Sequence, residues 1–173
     1  MISIVVPTYN REQVLSKTLD SIIVQTFPDW ECIIVDDGSL DTSINVANQY
    51  AEKDRRFQVL SNTYAKGAQG ARNTGIVAAE GEWICLFDSD DIMYPNCLEK
   101  MAAAIDEHSD VIVCKALIRN SKTGQAAGYL DKIFSSNIHA DLLREKCYVA
   151  YDVTIIRKSS LEEIGLLDER CPS

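Results

Sequence analysis

A chain of 173 residues with 46% hydrophobic and 25% charged residues has the length and apolar content of one globular domain with a substantial core. Its 26 acidic residues against 17 basic ones give a net charge of −9, which excludes a general nucleic-acid binder. Phosphate handling by so acidic a chain requires a local cluster of cations or a bound metal.

Ile2 to Val6 is a β-branched run without alternation, as in a strand buried on both faces, and Pro7 is expected to end it. Leu15, Leu19, Ile22 and Ile23 recur at helical spacing behind an expected cap at Asn10. Cys32 to Val35 reads as a second buried strand running into Asp36-Asp37-Gly38-Ser39. Asp41 or Thr42 is placed to cap a helix near Ile44 to Glu52. Phe57 to Leu60 reads as a third strand, Ala68 to Ala79 as a helix and Trp83 to Phe87 as a fourth strand. Pro95 suits the first turn of a helix reaching about Glu107, and Val111 to Cys114 reads as a fifth strand. Strand and helix alternate with short connections, which predicts an α/β fold with a mainly parallel sheet. After Cys114 the pattern changes. Ala116 to Arg119, a turn at Asn120 to Gly124 and Ala126 to Leu130 read as a hairpin, and Asp131 to Lys146 as irregular or weakly helical. Val153 to Ile156 reads as a strand, and Ser160-x-x-Glu163 as a capping box opening a helix that Gly165 ends. No repeat or linker interrupts the chain, so one domain over 1–173 is expected, with unequal halves at 1–115 and 116–173.

No apolar run approaches the roughly 18 residues of a membrane span, and the chain opens on a strand without a leader, so a cytoplasmic protein is expected. The six cysteines, Cys32, Cys85, Cys97, Cys114, Cys147 and Cys171, include no CxxC pair and are expected to be reduced thiols, not zinc ligands. His108 and His139 have no partner pattern and read as surface residues. Trp30 and Trp83 read as packing.

In an open parallel sheet, ligands sit beyond the carboxyl ends of the strands. The first strand delivers Pro7-Thr8-Tyr9-Asn10 to that edge, the second Asp36-Asp37-Gly38-Ser39 and the fourth Asp88-Ser89-Asp90-Asp91. Each acidic piece alone also fits a turn or a helix cap. Together they set like charges that repel by roughly 4 kcal/mol per pair at 4 Å and an effective dielectric near 20. A hard divalent cation, Mn²⁺ or Mg²⁺, held by few protein oxygens and completed by substrate phosphates, meets that demand. Tyr9 is placed to stack on a base. The segment from Lys66 to Gly75 brings Lys66 and Arg72 near a phosphate-bearing ligand, with glycines that permit close backbone approach. It is neither a Walker loop nor a GxGxxG fingerprint, so ATPase and NAD-binding readings lose support.

The run SIVVPTYNREQVLSKTLDSIIVQTFPDWECIIVDDGSLDTS resembles the N-terminal signature of family-two glycosyltransferases of the GT-A fold. KGAQGARNTGIVAAEGEWICLFDSDDIMYPNCLEK resembles their second block, with DSDD as the Asp-x-Asp element, and VTIIRKSSLEEIGLLDE resembles the segment leading to the acceptor side. The resemblance implies a Rossmann-like, mainly parallel sheet with alternating helices, followed by a smaller hairpin-containing acceptor-side part. It implies a nucleotide-diphosphate sugar as donor, a UDP-sugar foremost, and a saccharide or lipid-linked acceptor. Cell-surface polysaccharide or glycoconjugate synthesis, cytoplasmic or peripheral at the inner membrane face, is the implied setting. Pro7, Thr8 and Tyr9 match the stretch bordering nucleobase and ribose. Asp37 matches the carboxylate that accepts the base imino N–H, with Asp36 beside it. Lys66, Arg72 and Asn73 match the donor-facing helix entrance, Asp88 and Ser89 the ribose and sugar contacts, and Asp90 the metal ligand.

The family inverts at the anomeric carbon by a single displacement with a carboxylate general base. The resemblance implies a base beyond Ser173, so catalytic residues stay unassigned and slow transfer by this chain is expected. Leu167 stands where the family usually has an aromatic. Two alternatives compete: a nucleotide-binding module without catalysis, and a receiver-like phosphoacceptor domain, whose acidic pair would follow the first strand.

Overall fold

The computed structural model describes residues 1–120, 123–130 and 154–170. Its centre is β1 (Ile2–Thr8), whose seven residues are all buried. The chain then alternates through α1 (Leu15–Ile23), β2 (Trp30–Asp36), α2 (Ser43–Lys53), β3 (Phe57–Ser61), α3 (Ala68–Ala78) and β4 (Trp83–Leu86). α4 (Cys97–Ala103) and β5 (Val111–Val113) follow, then a hairpin of β6 (Ala116–Arg119) and β7 (Ala126–Leu130). β8 (Thr154–Arg157) leads directly into α5 (Lys158–Ile164). Six strands form one sheet in the order β3-β2-β1-β4-β8-β5. The pairs among β1 to β4 are parallel, and β8 runs antiparallel to both β4 and β5. This is the mixed α/β architecture with a mainly parallel sheet that the alternation predicts.

The unbroken apolar run of β1 is explained by cover on both faces. Ile2, Ile4 and Val6 pack with Leu15, Leu19 and Ile22 of α1, whereas Val5 packs with Ala71 and Ile76 of α3. Each such buried aliphatic side chain contributes about 1.5–3 kcal/mol, so the strands and these helices are locked as one body. Glycines permit two close approaches of α3, one to β1 and one to the loop that precedes the helix. A Cβ on Gly75 would lie 2.3 Å from Val5 Cγ1, and one on Gly70 would lie 1.9 Å from the Ala65 carbonyl oxygen.

Four local expectations are corrected. Pro7 does not end β1 but pairs in register with Val35. The Val5 carbonyl accepts from Phe87 N on the β4 side, while the Thr8 carbonyl accepts from Asp37 N on the β2 side. Pro7 shares the side of Val5, and β4 has already ended there, so its missing N–H deprives no partner. Asn10 does not cap α1, which begins at Leu15 after a turn closed on the Arg11 carbonyl. α4 ends at Ala103, short of Glu107. Ser160 lies inside α5, because the helix starts at Lys158 straight from β8, and no side chain caps it.

No described helix is long and apolar enough to cross a membrane. Cys32, Cys85, Cys97 and Cys114 are free thiols. Burial pushes the Cys32 thiol well up, whereas a hydrogen bond with Cys114, Sγ to Sγ at 4.0 Å, draws Cys97 down. Cys147, Cys171, His139, the Asp131–Lys146 segment and Val153 lie outside the described residues.

Candidate functional site

The carboxyl ends of β1, β2 and β4 meet at one edge of the sheet, as the parallel register requires. From β1 come Pro7 and Thr8, both buried, and then Tyr9, whose exposed ring has the Lys66 ammonium 4.8 Å from its centroid. Asn10 follows at φ 52°, in the left-handed region that Asn tolerates better than most residues. Its backbone N–H donates to Ser39 Oγ at 3.0 Å, and its Oδ1 accepts from the Leu40 N–H at 2.8 Å. The residue expected to cap α1 instead ties the β1 loop to the β2 loop.

Asp36 and Asp37 divide their work. Asp36 is buried, and its Oδ2 accepts from the backbone N–H groups of Gly38 and Ser39, both at 3.1 Å. Asp37 turns toward the entrance of α3. Its Oδ1 accepts from Asn62 Nδ2 at 2.6 Å, and its Oδ2 from the Gly67 N–H at 2.9 Å. Asn62 also donates to the Ala65 carbonyl and accepts from Thr74 Oγ1, so the 62–67 loop is bound from both sides.

At β4 the acidic loop meets arginine. Asp88 Oδ1 accepts from Arg72 Nη2 at 2.6 Å, where the Arg72 side chain is only 6% exposed and that of Asp88 is 42% exposed. Asp90 and Arg11 approach to 3.6 Å, both about half exposed. The negative charge concentrated here is thus answered by two guanidinium groups. Among the described residues no three His, Cys, Asp or Glu side chains converge as a ligand cage. The donor set is two carboxylates faced by arginine, Asp90 in a half-exposed pair with Arg11 and Asp88 held more closely by Arg72. That set fits a hard cation that takes one or two carboxylates and leaves its remaining positions to phosphate oxygens and water.

Ser89 is buried between the two aspartates, and its carbonyl accepts from Thr18 Oγ1 at 2.9 Å. Sequence reasoning passed over Thr18, together with Ser21 and Gln25, although their three- and four-residue spacing marks a polar stripe on an apolar helix. It also passed over Arg11 and Asn62, which carry no motif.

Asn73 sits apart from the acidic loops. Its amide exchanges two 3.0 Å hydrogen bonds with the backbone of Leu167, and its Nδ2 also donates to Glu169 Oε1 at 3.1 Å. Glu169 Oε2 accepts from the Ala65 N–H at 3.2 Å, so the end of the described chain is fastened to the α3 entrance. Asp168 pairs with Arg170 at 2.7 Å, and that hydrogen bond holds its carboxyl below the usual carboxylate range. His108 is exposed beside Glu107.

A family model described as Glycosyl transferase family 2 matches residues 3–165. The putative glycosyltransferase EpsH of Bacillus subtilis is 37% identical over 124 residues, covering 72% of this chain and 36% of EpsH. The Escherichia coli enzyme WfgD, named a UDP-Glc:alpha-D-GlcNAc-diphosphoundecaprenol beta-1,3-glucosyltransferase, is 41% identical over 99 residues, 57% of this chain and 38% of WfgD. Among solved structures, S. aureus TarS 1–349 in complex with UDP-GlcNAc superposes with a TM-score of 0.75 at 29% identity, over 94% of this chain and 47% of TarS 1–349. The chain therefore spans about a third to a half of the length of these relatives. The receiver-like alternative falls here, both to this match and to the antiparallel β8 within the sheet.

Proposed function

We propose that this chain, which belongs to glycosyltransferase family 2, binds the diphosphate of a nucleotide sugar at the carboxyl edge of β1, β2 and β4. It forms the donor half of an inverting, metal-dependent transferase. The observation that carries the reading is the pairing of the 88–91 acidic loop with Arg72 and Arg11, two cations within reach of the same edge. The donor is a nucleoside-diphosphate sugar, a UDP-sugar foremost, in line with the UDP-GlcNAc complex of TarS. The acceptor is a hydroxyl on a saccharide or lipid-linked saccharide, the class named for WfgD. A cytoplasmic site, peripheral at the inner membrane face, follows from that acceptor.

Each residue then has a physical task. Pro7, Thr8 and Tyr9 border the base and ribose, with Tyr9 stacking on the base. Asp37 offers a carboxylate to the base N–H while keeping the 62–67 loop in place, and Asp36 shapes the turn beside it. Lys66 and Arg72 face the diphosphate. Asp88 and Ser89 meet ribose and sugar, and Asp90 would hold Mn²⁺ or Mg²⁺. When bound, the cation stabilises the charge that builds on the departing diphosphate. Arg11 keeps Asp90 neutralised before the ligand arrives. Asn73, at the donor-facing entrance of α3, supports the donor loop through Glu169 and Ala65.

Calorimetric titration with UDP, in Mn²⁺ and in chelator, tests the donor site. Tight binding only with Mn²⁺ is expected, and equal affinity in both solutions would sink the metal-bridged reading.

A further inference from the structure

The buried polar stripe of α1 has no place in the scheme above, and it meets the acidic loop from behind. Thr18 and Ser21 follow at i and i+3 on one face of α1, and Gln25, at i+7, lies two residues past its last residue, Ile23. All three are buried, among the apolar residues Leu15, Leu19 and Ile22. A helix pressed against a core carries polar groups at such positions only where they find hydrogen-bond partners. Ser21 Oγ donates to the Thr18 carbonyl at 2.6 Å and Gln25 Nε2 to the Ser21 carbonyl at 3.0 Å, but each of the three side chains also reaches across to the chain after β4. Thr18 Oγ1 donates to the Ser89 carbonyl at 2.9 Å. Ser21 Oγ accepts from the Met93 N–H at 3.0 Å. Gln25 donates from Nε2 to the Tyr94 carbonyl at 2.8 Å, and its Oε1 accepts from the Leu98 N–H at 3.1 Å.

We infer that Thr18, Ser21 and Gln25 are positioning residues, which hold the loop carrying Asp88 and Asp90 in the geometry required for the cation and diphosphate. The inference rests on the donor-site reading. Residues 87–96 contain no helix or strand, so their backbone groups have few partners from regular structure. A loop that must present carboxylates to a metal within a fraction of an ångström needs its own supporting contacts. The three side chains supply them through backbone atoms alone, and so leave the carboxylates open to ligand. Thr18 acts at the central residue of the Asp88-Ser89-Asp90 triplet. Gln25 acts five and nine residues along, at Tyr94 and Leu98, where the loop enters α4. The clasp therefore fixes both ends of the segment, one to α1 through Thr18 and the other to the turn that leaves α1 through Gln25.

Thr18→Val is nearly isosteric and deletes only the hydroxyl that reaches Ser89, whereas Thr18→Ser keeps it. UDP affinity is measured by calorimetry in Mn²⁺ and in chelator for wild type, both Thr18 variants and Gln25→Met. Thr18→Val is expected to lose about five- to tenfold of the Mn²⁺-supported affinity, with affinity in chelator within about twofold of wild type. Thr18→Ser should recover most of the loss. Full retention of the Mn²⁺ gain in Thr18→Val and Gln25→Met overturns the inference, as does an equal fall in both solutions, which is the mark of general destabilisation. Amide hydrogen exchange without ligand separates this from the donor-site reading. Faster exchange of the Met93 amide in Ser21→Ala and of the Leu98 amide in Gln25→Met supports the clasp, whatever UDP does. Unchanged exchange at both overturns it. Equal wild-type affinity in Mn²⁺ and chelator instead overturns the donor-site reading.

Discussion

The two acidic loops look alike in sequence and are used in opposite ways. After β2, the Asp36 and Asp37 carboxylates accept hydrogen bonds from Gly38, Ser39, Asn62 and Gly67, and these bonds build the loops themselves. After β4, the backbone is held by α1, while Asp88 and Asp90 face arginine side chains. A carboxylate that accepts backbone N–H bonds is part of the fold. One that faces only a half-exposed guanidinium 3.6 Å away, as Asp90 does, can exchange that partner for a metal at little cost. A run of aspartates therefore says less than the donors that surround it.

Replacing each carboxylate in turn should reproduce this division, in order of stability lost. Asp37→Ala should cost about 1–3 kcal/mol in urea unfolding, because the Asn62 amide and the Gly67 N–H both lose an acceptor. Nucleotide affinity should fall with it, since the 62–67 loop is released at the donor edge. A loss of affinity at unchanged stability would return Asp37 to a pure ligand role. Asp88→Ala should cost about 1–2 kcal/mol, the price of stranding the buried Arg72 charge, moderated by the partial exposure of Asp88. Asp90→Asn should change stability by less than about 0.5 kcal/mol, as befits an exposed pair. It should still remove most of the Mn²⁺ dependence of UDP binding, because a neutral amide is a poor ligand for a hard cation. A large drop in melting temperature for Asp90→Asn would erase the contrast between the loops.

A carboxylate remote from the edge gives the smallest effect and serves as a reference. Hydrogen bonds from Arg56 hold the Asp54 carboxyl below the ordinary carboxylate range. A depressed folded value means that its contribution is complete above the unfolded value, near 3.9, and vanishes as pH falls through the folded one. Asp54→Asn should therefore flatten the acid limb of a stability–pH curve measured by urea unfolding, by about 0.5 kcal/mol or less. A stability difference between variant and wild type that persists undiminished at the acid end of the curve would contradict this assignment.

The sheet and its helices were legible because burial on both faces leaves unbroken runs such as Ile2–Val6, and because α1 keeps a 3.6-residue period. The convergence of the three loops followed from parallel strands alone. Pro7 misled because its effect depends on which side of β1 still has a neighbour, which is a tertiary fact. Asn10 misled because a cap and a loop tie use the same side-chain atoms. Asp37 was read as facing a ligand, and nothing local announces Asn62 and Gly67, which lie 25 and 30 residues away. Thr18, Ser21 and Gln25 were visible as a stripe, yet their partners after β4 lie 69 to 73 residues further on.

The antiparallel insertion of β8 governs the order in which the molecule can be assembled on the ribosome. β4 finds one neighbour in β1, which precedes it, and the other in β8, with Glu82 and Arg157 meeting across 75 residues of chain. β5 emerges long before β8, and among the described residues its partner in this sheet is β8 and not β4. A growing chain thus carries the open flank of a buried strand until Thr154–Arg157 has left the exit tunnel. At synthesis rates of about 5–20 residues per second this amounts to several seconds in which an unpaired apolar edge is presented to other nascent chains.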